Sequence, residues 1–307
     1  MSTTSTGSSS PPRPTPAGAP RSRAEVREAL ERIGIRPRRS AGQSFLVDPF
    51  VADAEAAVAL PVPGASAVEI GGGLGLLTEA LLRRGPARLE VIERDPRLAA
   101  HLERTFGDRI TVTPADALEH PTPPADVVVG NLPFSSSVPI LQRLFLGPTP
   151  RVVALVQREV ADRLAAGPGS RAYGRLSIQA ALYGAVETFR PVPSEAFEPR
   201  PKVEARLVAF ARRPGPLPVD DPAAAEALVR AVFGARRKQL TNLLPRSLPA
   251  GADADALAAR AGWPPDWRRR RPEELPPEAY FRLAQLLLQR ARADARRRAR
   301  LNSGVRA

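Results

Sequence analysis

The chain contains no cysteine and only two histidines, His101 and His120. Without thiols, disulfides, iron–sulfur clusters and cysteine zinc sites are excluded. Two imidazoles are too few for a multi-histidine metal site, and they argue against a serine–histidine triad. We therefore expect no bound metal, and catalysis must depend on other side chains.

Long apolar runs and acidic residues are also scarce. No uninterrupted apolar stretch reaches about 18 residues, the length of a membrane-spanning helix, so we expect a soluble, cytoplasmic protein that binds no membrane. Lys and Arg number 45 against 32 Asp and Glu, and the net charge is +13. This excess favours a polyanionic partner such as nucleic acid, because phosphate contacts release counterions. A solvated arginine-rich surface is the alternative explanation.

Composition divides the 307 residues into five parts. Residues 1–22 carry almost no large apolar side chain, so we expect a disordered tail, with a transit peptide as the less favoured interpretation. Pro, Gly and charge cluster at 213–222, which predicts a linker between a catalytic domain at 23–212 and an RNA-binding helical domain at 223–295. Arginines accumulate almost without acids at 296–307, which predicts a frayed basic tail.

Strand and helix patterns alternate through the predicted catalytic domain. Apolar strands are predicted at 66–70, 88–92, 110–113, 127–129, 152–157 and 205–210, with helices at 74–84 and 96–106 between the first three of them. This alternation implies right-handed crossovers and a parallel sheet. Ala- and Leu-rich segments predict later helices at about 223–236, 251–261 and 277–295. The expected fold class is α/β, a Rossmann-like domain followed by a smaller all-α C-terminal domain.

A glycine-rich segment, VEIGGGLG at 68–75, ends one strand and opens the next helix. Glycines allow a tight turn and a close approach of a ligand to the free N–H groups of the helix. Glu93 ends the next strand, where its carboxylate can accept hydrogen bonds from ribose hydroxyls. Asp116 follows the third strand and could accept from an adenine amino group, although either acid could instead cap a helix. The spacing fits an adenosine-containing ligand in a methyltransferase or a dehydrogenase.

The tetrad Asn131-Leu132-Pro133-Phe134 follows the buried strand at 127–129. Ligands of open α/β sheets bind at the carboxyl ends of strands, so the tetrad is expected beside the cofactor. The Asn131 oxygen and the Leu132 or Pro133 carbonyl could hold both N–H bonds of an adenine amine, while Phe134 stacks on the base. An Asn-Pro turn with a buried Phe is the structural alternative. A dehydrogenase gives the tetrad no role.

Further motifs complete a family pattern over about residues 40–210. GQSFL, EIGGGLG, NLPF, QRE, YGRL and FEPRPKV occur in that order. Together they resemble the RsmA/KsgA-type small-subunit (16S) ribosomal RNA adenine N6,N6-dimethyltransferases, with NLPF in place of the commoner NLPY. LVRAVFGARRKQLTNLL resembles the basic helix-turn segment of the same family. The similarity covers nearly the whole chain apart from its two ends.

The resemblance implies a class I methyltransferase domain that uses S-adenosyl-L-methionine to dimethylate adenine in the RNA of an immature small ribosomal subunit. We also expect a monomer. The family assigns the cofactor to Gln43, Phe45, Leu46, Gly71, Gly73, Gly75, Glu93, Asp116 and Asn131. It assigns catalysis to Asn131, Leu132, Pro133 and Phe134, and substrate binding to Phe134, Phe197, Arg236, Arg237 and Lys238. Within this set, Phe197 would cover the far face of the target base. Arg36, Arg38 and Arg39 are expected to extend the basic face.

Two positions depart from the family pattern. Gly72 stands where the family often has proline, and we expect this change to be harmless. Ala115 stands where the family often has glycine, so the sequence does not define the backbone path beside Asp116.

Two related functions remain as alternatives. Erm-type large-subunit (23S) ribosomal RNA adenine N6-methyltransferases share most of the motifs, but the ARRKQLTNLL and FEPRPKV segments favour the small-subunit type. A catalytically inactive rRNA-binding assembly factor could share the fold. The intact glycine turn, acids and tetrad argue against it.

Overall fold

The computed structural model describes residues 18–37 and 43–304, with side chains described as far as residue 296. The strands are β1 Phe45–Leu46, β2 Ser66–Ile70, β3 Arg88–Glu93, β4 Thr111–Pro114, β5 Val127–Asn131, β6 Arg151–Gln157, β7 Gly184–Val192, β8 Phe197–Glu198 and β9 Ala205–Arg212. The helices are α1 Arg23–Arg32, α2 Pro49–Ala59, α3 Leu76–Arg83, α4 Pro96–Phe106, α5 Ser137–Leu146, α6 Arg158–Leu164, α7 Arg175–Tyr183, α8 Pro222–Val232, α9 Leu240–Ser247, α10 Ala254–Arg260 and α11 Pro277–Gly304.

Seven strands form one sheet in the order β4-β3-β2-β5-β6-β9-β7. The first five are parallel, as predicted, but β9 runs antiparallel to both β6 and β7. The predicted parallel arrangement therefore holds for the first five strands and not for β9. β9 starts opposite the carboxyl end of β6, because the chain arrives from β8, which pairs with β1 outside the main sheet. A strand that enters at that end has to run in the opposite direction.

Three helices begin with the same dipeptide, Asp-Pro. Asp48, Asp95 and Asp221 are the N-caps of α2, α4 and α8, and each side chain accepts a backbone N–H of the first turn. The proline that follows each aspartate fits the first helical position, where no N–H is needed. These local signals begin all three helices without help from tertiary contacts.

Apolar side chains of the sheet and of the C-terminal helices form one continuous cluster. Tyr280 of α11 packs against Phe233 and Trp263, and Phe233 also contacts Tyr173, which lies just before α7. The Tyr173 hydroxyl donates to the Leu275 carbonyl at 3.0 Å. The segment 213–221 contains no helix or strand. The helices beyond it therefore pack directly onto the catalytic part of the chain.

Both ends of the described chain are more ordered than the composition predicts. Ala19 is buried, Arg21 forms an ion pair with Glu79 at 2.8 Å, and the Ser22 hydroxyl caps α1. Disorder is therefore wrong for 18–22, because these local polar contacts do not depend on apolar content; residues 1–17 lie outside the described residues. At the other end, α11 continues to Gly304, beyond its expected end at 295, since Ala and Arg both favour helix. No helix within the described ranges is long and apolar enough to cross a membrane.

Candidate active site

A cleft of about 650 Å³ opens at the carboxyl ends of β2, β3, β4 and β5. Nine of the predicted site residues line it: Gln43, Phe45, Leu46, Gly71, Gly73, Glu93, Asp116, Asn131 and Pro133. Its volume is within the range of small-molecule sites, about 300–1,000 Å³. In the part of the chain that the structure describes, no three His, Asp or Glu side chains are grouped as metal ligands.

The glycine turn depends on left-handed backbone at Gly71, Gly73 and Gly75, whose φ angles are 78°, 55° and 90°. A Cβ atom on Gly73 would lie 3.3 Å from the Phe45 ring, so the cleft is narrow at this point. Gly75 does not line the cleft, and its assignment to the cofactor is not supported by its position. A Cβ there would lie 2.7 Å from Cζ of Phe106, so Gly75 permits close packing of α3 against α4.

Gly72 also has a packing role that the sequence did not reveal. A Cβ atom at this position would lie 2.5 Å from Cγ1 of Val91 and 2.8 Å from Cδ1 of Leu102. Both neighbours are completely buried. Glycine is therefore compatible with the turn, as expected, but a residue with a Cβ is not compatible with the present neighbours.

Glu93 links the end of β3 to the glycine turn. Its Oε2 accepts the Gly73 N–H at 3.0 Å and its Oε1 accepts the Asp95 N–H at 2.9 Å. Burial raises the pKa of Glu93, and these backbone hydrogen bonds oppose that rise. Asp95, and not Glu93, caps α4. Each carboxylate oxygen keeps a lone pair for a further donor such as a ribose hydroxyl.

Asp116 accepts a local backbone hydrogen bond and also borders the cleft, whereas its contact with an adenine amine stays a prediction. Its Oδ1 accepts the Leu118 N–H at 2.9 Å, as in a local cap, whereas Oδ2 lies 3.4 Å from a guanidinium nitrogen of Arg94. Asp116 and Arg94 both line the cleft. Arg94 was not predicted, because it stands in the VIERD segment beside the more conspicuous Glu93.

Glu69, on β2, is a cleft residue that the sequence analysis missed. It is fully buried, its Oε2 accepts the Thr78 hydroxyl at 2.7 Å, and its Oε1 has no partner among the described residues. Burial raises the pKa of Glu69 to about 8, despite the opposing Thr78 hydrogen bond. The available signal was an acid inside a buried strand immediately before the glycines.

A second buried acid, Glu55 of α2, interacts electrostatically with Glu69. Neither of its oxygens has a hydrogen-bond partner within the described chain. Burial raises the pKa of Glu55 well above its ordinary value, and the charge of Glu69 raises it further. Both acids therefore favour the protonated form in the folded chain.

Asn131 is the last residue of β5, and its side chain borders the cleft. Its side-chain amide forms no hydrogen bond with another described residue. Leu132 is buried instead, and its N–H donates to the Leu155 carbonyl at 3.2 Å. The Pro133 carbonyl accepts the Ser136 N–H at 3.0 Å, so a local turn occupies one of its lone pairs.

Phe134 and Phe197 contact each other edge to face, with ring centroids 6.2 Å apart and an interplanar angle of 64°. Phe134 is half-buried, whereas Phe197 is 0% exposed. The ring of Phe197 therefore has no exposed face in this conformation, and its expected contact with the far face of a target base stays a prediction. Phe197 supports the Phe134 ring from behind.

The predicted basic residues differ in their availability. Arg236 is held by Glu273 at 3.0 Å and by the Ser170 carbonyl at 3.2 Å, so it anchors the C-terminal helices. Arg237 and Lys238 are exposed and form no ion pair with a described residue. Arg36 is also exposed. Arg38 and Arg39 lie outside the described residues.

Comparison with known proteins identifies relatives across most of the chain. The profile described as "Ribosomal RNA adenine dimethylase" matches residues 34–259. A "Probable ribosomal RNA small subunit methyltransferase A" of Natronomonas pharaonis is 41% identical over 270 residues, which cover 84% of this chain and 95% of the relative.

Two solved structures share the fold. A dimethyladenosine transferase from Plasmodium falciparum has a TM-score of 0.65 and 22% identity, covering 78% of this chain and 95% of the other. The 23S rRNA methyltransferase ErmE has a TM-score of 0.62 and 26% identity, and the match covers 79% of this chain and 99% of ErmE.

Proposed function

Because the chain belongs to the ribosomal RNA adenine dimethylase family, we propose that its cleft binds S-adenosylmethionine beside the N6 amine of an adenine in small-subunit ribosomal RNA. The enzyme class follows from the family: the chain is an rRNA adenine dimethyltransferase. One observation carries the proposed site, namely that Asn131 borders the same cleft as Glu69, Glu93 and Asp116. We further propose that it acts as a monomer in the cytoplasm on immature small subunits.

The cleft residues fit this cofactor chemically. S-adenosylmethionine carries a sulfonium cation, an ammonium group, a ribose and an adenine. Three carboxyl groups lie at the ends of neighbouring strands, and the unpartnered Oε1 of Glu69 is a buried acceptor suited to a cationic group. Glu93 would accept hydrogen bonds from ribose hydroxyls, and Asp116 would accept one from an adenine amine. The glycine turn leaves room for close approach to its backbone N–H groups.

When bound, the cofactor supplies an electrophilic methyl group, so the protein's own task is to hold the target amine. The Asn131 side-chain oxygen would accept one N–H of that amine. The Leu132 carbonyl would accept the other, since the Pro133 carbonyl already receives the Ser136 N–H. Two acceptors favour a pyramidal nitrogen with its lone pair directed at the methyl group. Phe134, supported by Phe197, would stack on the base.

The small-subunit substrate is favoured over the large-subunit one. The relative named for the small subunit is 41% identical, whereas ErmE is 26% identical at a similar coverage of this chain. The ARRKQLTNLL segment supports the same choice. Mapping dimethyladenosine in small-subunit and large-subunit RNA from a strain lacking the protein tests it directly.

Asn131→Ala tests the proposed catalytic arrangement. Removal of one positioned acceptor should slow methyl transfer to unmodified small-subunit particles by about 10²- to 10³-fold. Because Asn131 would contact the amine more than the cofactor's main groups, S-adenosylmethionine affinity measured by calorimetry should change little. Mono- and dimethyladenosine should fall together, since both transfers use the same pocket. If the variant dimethylates RNA at the parent rate, the tetrad is only a structural turn and the catalytic proposal is wrong.

A further inference from the structure

A second cavity, of about 300 Å³, lies where α5, α7, α8 and α11 meet. Its polar lining consists of Gln142, Arg163, Arg175, Gln179, Glu226 and Arg230. We call it the arginine pocket, after Arg163, Arg175 and Arg230. These arginines come from three different helices, α6, α7 and α8, so only the folded chain brings them together.

The arginine pocket has an excess of positive charge. All three arginines are exposed, and none forms an ion pair or side-chain hydrogen bond with a described residue. Glu226 is the one acid in the lining, and its Oε1 already accepts from Gln179 and from the Tyr183 hydroxyl, each at 3.0 Å. Many other arginines of the chain are paired with acids, Arg158, Arg206 and Arg292 among them. Three guanidinium groups therefore face a single carboxylate, which leaves an excess of positive charge in the lining.

The arginine pocket and the cofactor cleft lie on two faces of the same helix. Ser136, just before α5, and Ile140 within it line the cleft, whereas Val138 and Gln142 line the arginine pocket. Val138 and Ile140 are two residues apart, about 200° around a helix, so the two cavities border opposite sides of the same part of α5. The helix starts three residues after Phe134. A strand whose base enters the cleft thus passes close to the arginines.

A hydrogen-bond chain joins the lining of the pocket to the C-terminal helices. Gln142 of α5 donates to Gln179 of α7 at 2.8 Å, and Gln179 donates to Glu226 of α8. This chain fixes the floor of the pocket relative to α5. An anion bound there would consequently have a defined position relative to the catalytic tetrad.

We propose that the arginine pocket binds a backbone phosphate of the RNA strand that presents the target adenine. Guanidinium groups bind phosphate in bidentate geometry, and the N-terminus of α7, which begins at Arg175, favours negative charge as well. The phosphate anchors the strand so that the neighbouring base enters the cleft in register. This inference rests on the proposed function, because it takes the ligand to be the substrate RNA.

The test uses Arg175→Ala and Arg230→Ala, singly and together, in the full chain. Arg104→Ala is the matched control, because Arg104 is an exposed arginine of α4 that has no ion pair with a described residue. Filter binding to protein-free small-subunit RNA and to unmodified particles is measured over a range of salt. Each pocket variant should weaken binding about tenfold and lower the salt slope by about 0.7–0.9. Arg230→Lys keeps the positive charge, so most of the salt dependence that is lost in Arg230→Ala should return.

Kinetics separate anchoring from a structural effect. The double variant should raise KM for the particles while kcat at saturation, cofactor affinity and melting temperature stay near the control values. Equal affinity and salt slope in the double variant and the control would overturn the proposal. It would also be overturned if affinity fell for particles but not for protein-free RNA, since the partner would then be an acidic protein. Failure of the proposed function is distinct: the parent itself would transfer no methyl group to the RNA.

Discussion

Glu55→Met should stabilise the protein, and the gain should grow with pH. Glu55 is 0% exposed, and both of its carboxyl oxygens are unpartnered among the described residues. A buried acceptor without a partner costs about 1–3 kcal/mol even when the group is neutral. Methionine has a similar shape and no charge, so it fills the same space without that cost.

The pH dependence follows from the raised pKa of Glu55, caused first by burial and then by the charge of Glu69. The unfolded chain releases this proton near the ordinary pKa of 4.5, whereas the folded chain retains it. Folding therefore binds a proton, and stability falls as pH rises, by about 1.4 kcal/mol per pH unit for one proton. The parent should therefore lose stability through this group as pH rises above about 4.5, for as long as Glu55 keeps its proton in the folded chain.

Glu69 adds a second loss of stability, which continues as pH rises to its pKa of about 8. Glu55 is not among the groups that shift the pKa of Glu69, so the substitution should leave that second contribution in place. Chemical denaturation at several pH values should therefore show that stability falls less steeply with pH in Glu55→Met than in the parent. Glu103→Met, at an exposed site on α4, serves as the control and should keep the parent slope. A Glu55→Met slope equal to that of the parent would refute the reasoning.

Substitutions at three other positions test the cleft and its support. Glu93→Gln should weaken S-adenosylmethionine binding by about 1.5–3 kcal/mol in calorimetry, because charge-assisted bonds are lost; unchanged affinity would contradict the ribose assignment. Gly72→Ala should lower stability by about 1–3 kcal/mol, since its Cβ would overlap Val91 and Leu102. An unaltered melting temperature would show that these two side chains move aside without cost. Phe134→Ala should slow methyl transfer, whereas Phe134→Tyr should remain active because it keeps the ring. Equal rates of transfer by Phe134→Ala and the parent would exclude stacking.

Local patterns predicted much of the catalytic half correctly. The helix at 96–106 and the strand at 66–70 have the predicted bounds, because capping residues and apolar periodicity act within a few residues of chain. Asn131 and Glu93 could be placed at one cleft because parallel strands carry their carboxyl ends to the same edge. The elements that the sequence analysis missed, such as α7 and β7, have weaker periodicity, and tertiary pairing decides their form.

The burial of particular side chains could not be predicted in the same way. Phe197 stands in a family motif, yet whether its ring faces a ligand or the core depends on Phe134 from another part of the chain. Arg236 and Arg237 are adjacent and chemically identical, but Glu273 engages only Arg236. Neither distinction is encoded by residue type or spacing.

By itself, the sequence determined the α/β class, the glycine turn and the tetrad, because each depends on short-range backbone preferences and on motifs that stay together along the chain. Only the tertiary structure decided which charges are compensated. Among the described residues, Glu55 and Glu69 are buried without an ion-pair partner, while Arg163, Arg175 and Arg230 meet around a cavity whose lining has one acid, Glu226. Electrostatic energy depends on distance and burial in space, and residues far apart in the chain acquire both only when the helices and the sheet pack.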